Sequence, residues 1–83
     1  MEKGGVRMRF DNGCVGQTIR RLRIRKGMTQ DLLSALAGIA RTHLTMIESG
    51  SKHPNFETIW RIAVALDMKP SELVSEIEND TIE

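Results

Sequence analysis

In the segment Arg41-Thr42-His43-Leu44-Thr45-Met46-Ile47-Glu48-Ser49, Leu44 and Ile47 stand three residues apart, and Ala40 precedes Leu44 by one helical turn. That is the period of a helix with one core-facing stripe. The opposite side then carries Thr42, Thr45, Met46 and Ser49, with Arg41 flanking it at the amino-terminal end. These side chains suit the edges of base pairs. An arginine fork meets guanine O6 and N7 together, a threonine offers a hydroxyl and a methyl that fits thymine, and a methionine offers apolar contact. A methionine turned to solvent has no core explanation, which favours contact. Arg41, Thr42, Thr45 and Met46 are therefore the base-contact candidates. The plainer readings are a phosphate contact or solvated charge for Arg41, and space filling for Met46.

Other chemistries find little here. No Ser/His/Asp or Cys/His set, no carboxylate pair and no phosphate-binding glycine loop is apparent. An enzyme reading is rejected on these grounds, as are catalytic residues and a cofactor. One cysteine, Cys14, precludes an internal disulfide framework, and with His43 and His53 it makes no metal-ligand spacing.

Presenting base edges to a helix requires elements that aim it. Val15, Ile19 and Leu22 recur at helical spacing from Val15 to Lys26, and Gly27 supplies a carboxy-terminal cap. Thr29 is a good amino-terminal cap for a second helix running to about Ala37 and closed by Gly38. Met28 with Leu33, and Ile39 with Leu44, sit at hydrophobic-staple spacing. The turn between the second helix and the third (Arg41–Ser49) is too short for an antiparallel pair, so the two cross steeply, the geometry that lays a helix into a major groove. Ala40 gives the third helix no side-chain cap, a loss of roughly 0.5–2 kcal/mol against Ser or Thr. Gly50 ends it.

Asn55 caps a fourth helix from Phe56 to Leu66, with Phe56, Ile59, Ile62, Ala63 and Leu66 inward. Pro70 opens a fifth, carrying Leu73, Val74 and Ile77 inward. The expected fold is an all-α five-helix bundle. Its expected organisation is a flexible arm over residues 1–13, the domain proper over 14–78 and an acidic frayed tail over 79–83. Val6-Arg7-Met8-Arg9-Phe10 alternates like a strand. It is read as a frayed tail first, with a DNA-touching arm or a strand paired across a dimer as alternatives.

The 83 residues suffice for one domain, with ordinary apolar (40%) and charged (28%) contents. No apolar run reaches membrane-spanning length and no signal-peptide pattern opens the chain, pointing to a cytoplasmic protein without a membrane partner. The net charge of +1 hides a gradient: +6 over residues 1–30, 0 over 31–66 and −5 over 67–83. One end can approach a polyanion while the other is repelled. Charge that merely solvates helix faces would look the same, so the gradient supports a nucleic-acid reading without establishing it.

From Val15 to about Val74 the sequence resembles the helix-turn-helix domain of the Cro and phage-repressor (XRE) family. The resemblance rests on Gly16-Gln17-x-Ile19-Arg20-x-Leu22-Arg23, Gly27-Met28-Thr29-Gln30-x-x-Leu33, Ala37-Gly38-Ile39 and Ile47-Glu48-x-Gly50. It continues through Pro54-x-x-x-Thr58-Ile59-x-x-Ile62-Ala63-x-Ala65-Leu66-Asp67 and Pro70-Ser71-Glu72-Leu73. It implies a five-helix domain, usually dimeric, that binds a two-half-site duplex operator with the third helix as reader. The chain departs from the family pattern at Ala40 (usually Ser or Thr), at Ser34 (usually small and apolar) and at Lys69 (usually a cap).

The resemblance also implies that the first turns of helices two and three lie near phosphates. Thr29 and Gln30 would then contact the backbone, with Gln30 bracing the reader helix. It further pairs Glu48 with Arg23 as a structural ion pair. Arg20, Ser49 and Lys52 suit phosphate contacts by type and place, and His43 is half-buried or phosphate-touching rather than a ligand. His53 belongs to the connector, near the backbone. Trp60 and Val64 occupy positions the family fills with polar residues; they pack against helix five or the tail, or form a dimer seam, the favoured choice. The functional expectation is a sequence-specific, homodimeric transcriptional regulator of repressor type. Repressor, restriction–modification activator and immunity repressor are all open. The alternative is the antitoxin of a toxin–antitoxin pair, with a protein partner held by the acidic end or the Val6–Phe10 segment.

Overall fold

A computed structural model describes residues 10–81. Among them lie five helices, α1 (Asn12–Arg25), α2 (Gln30–Ala37), α3 (Arg41–Ser49), α4 (Phe56–Ala65) and α5 (Pro70–Thr81). No helix among the described residues is long and apolar enough to cross a membrane.

The helix ends follow local chemistry. Thr29 Oγ1 accepts from Leu32 N at 3.0 Å and Asn55 Oδ1 from Thr58 N at 2.7 Å, each satisfying a free first-turn amide. Gly27, Gly38 and Gly50 take φ of +72°, +73° and +84°, the left-handed conformation that stops α1, α2 and α3. After α4 a non-glycine, Asp67, does this at φ +61°. Ala40 is extended and caps nothing with its side chain. Lys69 likewise offers no side-chain cap, but Glu72 Oε1 reaches back to accept from Lys69 N at 2.8 Å, half of a capping box.

Both ends of the domain differ from the sequence-based boundaries. The helix expected from Val15 begins at Asn12, because Asp11 is extended and its carboxylate accepts from Gly13 N at 2.9 Å. Asn12 and Gly13 therefore belong to α1 rather than to a flexible arm. Asn12 Nδ2 also donates to Gly50 O at 2.9 Å, tying the start of α1 to the end of α3. Residues 1–9, with most of the strand-like segment, lie outside the described residues; Phe10 is exposed and outside any helix. The tail expected to fray from residue 79 remains helical to Thr81. There Thr18 Oγ1 donates to Asp80 Oδ2 at 2.6 Å, and Arg21 Nη2 donates to Asp80 Oδ2 at 3.0 Å and to Glu76 Oε1 at 2.9 Å. The Thr18 hydrogen bond, helped by Arg21, holds the Asp80 carboxyl below the usual aspartate range.

The core joins all five helices through Ile19, Leu33, Leu44, Ile47, Ile62, Leu66 and Leu73, each fully buried. Gly16 sits where α1 crosses α3: a Cβ there would collide with Ile47 O and come within 2.9 Å of Glu48 O. Ser34, buried, spends its hydroxyl on Asp31 O at 3.1 Å, which reconciles a polar side chain with the packed site. Two residues of α4 and α5 assigned inward are not. Phe56 (67% exposed) and Val74 (44%) instead line, with Val15, Ile59 and Ile77, an apolar groove of about 510 Å³ between α4 and α5. Ala40, placed on the core stripe of α3, is exposed because it precedes the helix; Ile39 packs against the core in its place.

Candidate nucleic-acid interface

Three residues, Gly38-Ile39-Ala40, separate α2 from α3. Leu44 and Ile47 bury one face of α3, while Arg41, Thr42, Thr45, Met46 and Ser49 are all exposed. Met46 is 42% exposed, so its thioether has no core role.

A polar network fixes the rotation of α3 beneath that exposed face. Glu48 is buried and accepts from Arg23 twice, Nε to Oε2 at 2.7 Å and Nη2 to Oε1 at 2.9 Å. Arg23 Nη1 adds a bond to Met28 O at 2.9 Å. The carboxylate, through these hydrogen bonds first of all, raises the Arg23 pKa above its ordinary value. Gln30 Nε2 donates to Glu48 Oε1 at 3.0 Å, and its Oε1 accepts from Thr45 Oγ1, also at 3.0 Å. Gln30 thus braces α3 against α2, with one N–H left over. Thr45 has a single hydroxyl proton, directed to Gln30 Oε1 or to Arg41 O at 3.0 Å. Toward an outside group it can therefore offer only a lone pair and its methyl.

The phosphate candidates surround this face. Arg20 and Ser49 line one polar groove of about 730 Å³ together with Gln17. Arg20 has no ion-pair partner among the described residues, and Lys52 is exposed. Ser49 Oγ donates to Met46 O at 3.0 Å and lies 3.1 Å from Ser51 Oγ. The Thr29 hydroxyl accepts as the α2 cap and keeps its proton for another acceptor. His43 is half-buried. His53 is exposed and makes an edge contact with Phe10, ring centroids 6.4 Å apart. Sequence reasoning missed two neighbours of this surface. Gln17 was visible only as part of a motif, and Asp31, in the first turn of α2, forms an ion pair with Arg41 (Nε to Oδ1, 3.3 Å).

Trp60 (51%) and Val64 (59%) are not covered by α5 and stand on the exposed side of α4. Phe56 extends them, its ring edge-on to Trp60 with centroids 6.0 Å apart.

Two short helices around a three-residue turn, the second locked by an Arg–Glu pair and facing outward with polar side chains, define a helix-turn-helix protein. The family model described as "Helix-turn-helix" matches residues 19–73, and the chain belongs to that family, in its XRE-type branch. Among curated relatives, the "uncharacterized HTH-type transcriptional regulator y4dJ" of Sinorhizobium fredii is 36% identical over 61 residues, covering 74% of this chain and 79% of that protein. Among solved structures, the restriction-modification controller protein C.AhdI of Aeromonas hydrophila is 36% identical. It has a TM-score of 0.73 and covers 76% of this chain and 96% of that one. The fold alone is shared with C.Esp1396I bound to a 25 base pair operator site, 24% identical at a TM-score of 0.79, covering 87% and 95% of the two chains.

Proposed function

We propose that this chain is a sequence-specific transcriptional regulator, a homodimer of repressor type that lays α3 into the major groove of a duplex operator. The observation that carries this is the outward face of α3. Arg41, Thr42, Thr45 and Met46 are exposed side by side on a helix whose buried face is held by the core and by the Arg23–Glu48–Gln30 network. Base reading needs such a rigid support, because a hydrogen bond to a base edge discriminates only when its donor is held in register.

Phosphate contacts come from Arg20, Thr29, Gln30, His43, Ser49 and Lys52, which surround the reader and set its orientation without reading sequence. The second protomer docks through Trp60 and Val64, with Phe56 beside them, since exposed aromatic and branched residues on one helix face are typical of a buried interface centre. The protein acts in the cytoplasm and needs no cofactor for this work. Its likeness to proteins named as transcriptional regulators and restriction-modification controllers supports this reading over that of an antitoxin.

Enrichment from a randomised duplex pool is the test. A palindromic consensus is expected, two half-sites mirroring the two-fold axis of the dimer. Failure to enrich any sequence would overturn the reading.

A further inference from the structure

Arg41 is the first residue of α3 and Asp31 the second of α2, so their ion pair bridges the first turns of both helices. The contact uses Arg41 Nε and Asp31 Oδ1, 3.3 Å apart, on side chains that are 59% and 81% exposed. A guanidinium has two usable edges. Here Nε stands 3.3 Å from Asp31 Oδ1, and among the described residues no ion pair or side-chain hydrogen bond engages the outer edge formed by Nη1 and Nη2. That outer edge can meet O6 and N7 of one guanine with two parallel hydrogen bonds.

We propose that Asp31 is a specificity-determining positioning residue, which holds Arg41 end-on so that its outer edge reads guanine instead of settling on phosphate. The inference rests on the base-reading role given to Arg41 above. An exposed ion pair adds little to the stability of the free protein. It strengthens where a bound duplex displaces water from around it. The negative charge has an opposite effect on affinity, because a carboxylate beside the groove repels phosphates whatever the sequence. Asp31 thus trades general affinity for discrimination, as partner-excluding groups do in selective interfaces. Free of Asp31, Arg41 gains rotamer freedom and can reach the backbone.

The two effects have opposite signs, which makes the proposal testable. Full-length wild type, Arg41→Ala, Asp31→Ala and Asp31→Asn would each be selected against a randomised duplex pool, and their affinities for the unselected pool measured. Arg41→Ala is expected to erase a guanine preference at one position per half-site. Asp31→Ala should weaken preference at that same position by about three- to tenfold, the cost of immobilising one long side chain. Other positions should be unchanged, and affinity for the unselected pool should rise. Asp31→Asn should raise pool affinity similarly but keep part of the preference, since an amide oxygen of the same shape can still face Nε.

Equal gains for all sequences with guanine preference intact in both Asp31 variants would overturn the proposal and leave Asp31 as a repulsive charge. Equal losses at every position, with lowered melting, would assign it a structural role only. If Arg41→Ala alters no position, the base-reading assignment fails and takes the proposal with it. If Arg41→Ala erases a preference that Asp31→Ala leaves untouched, the proposal alone fails.

Discussion

Arg23 grips Glu48 at two points, Nε on Oε2 at 2.7 Å and Nη2 on Oε1 at 2.9 Å, with side chains only 10% and 3% exposed. This links α1 to the last turn of α3, and through Gln30 it reaches Thr45 on the outward face. Truncating the acid would strand a buried guanidinium, and the loss on breaking such a pair is about 3–5 kcal/mol. Glu48→Ala should therefore lower thermal stability sharply, read by circular dichroism melting, before any change in sequence preference. Unchanged melting with lost preference would contradict the assignment.

Gly16 carries the second structural demand. No side chain fits between its Cα and the backbone carbonyls of Ile47 and Glu48, so Gly16→Ala must push α1 and α3 apart. A cost of about 1–3 kcal/mol is expected from overpacking. Urea unfolding measures it through a lower midpoint at unchanged slope.

The features legible in the sequence share one property: both partners lie within a few residues of each other. Thr29 and Asn55 as caps, Gly27, Gly38 and Gly50 as stops, and Pro70 as a first helical residue follow from local backbone chemistry. Helical period also aimed α3 correctly at Leu44 and Ile47. It failed for Phe56 and Val74, because period gives an angle around an axis and not whether a neighbouring helix covers that angle. The same limit hid the contacts of Asn12 with Gly50 and of Asp31 with Arg41, each made across at least one other element or turn. Arg23–Glu48 became legible through family resemblance, since spacing alone cannot pair residues 25 apart.

Asp80 makes the docking of the last turn of α5 depend on pH. Its carboxyl is held below the ordinary aspartate value, chiefly by Thr18 Oγ1 and then by Arg21. A depressed folded-state pKa adds stability that is complete above the unfolded value of about 4 and is lost as pH falls through the folded one. Asp80→Asn should therefore melt lower than wild type at pH 7, and the difference should begin to shrink below about pH 4 and vanish only once the pH is below the depressed folded-state value. A difference that persists undiminished in acid would assign the effect to packing instead.

Trp60 should matter to assembly more than to folding, since half of it is exposed in the protomer. At micromolar concentration, Trp60→Ala is expected to elute as a monomer with its helicity retained. A loss of about 2 kcal/mol or more at an interface centre weakens dimerisation at least roughly thirtyfold. An undisturbed dimer would remove Trp60 from the seam.

The central claim is that α3 presents its outward face to bases while residues around it hold phosphates. The most direct measurement compares Arg41→Ala with Lys52→Ala on the selected operator and on single-base variants of it, across a series of salt concentrations. Lys52→Ala should weaken all sequences alike and reduce the slope of log affinity against log salt by about one. Arg41→Ala should instead relax preference at one position per half-site, with roughly 1–3 kcal/mol of discrimination lost there. If the two variants behave alike, with equal losses on every sequence and equal changes in slope, α3 does not read the bases with the face assigned to it.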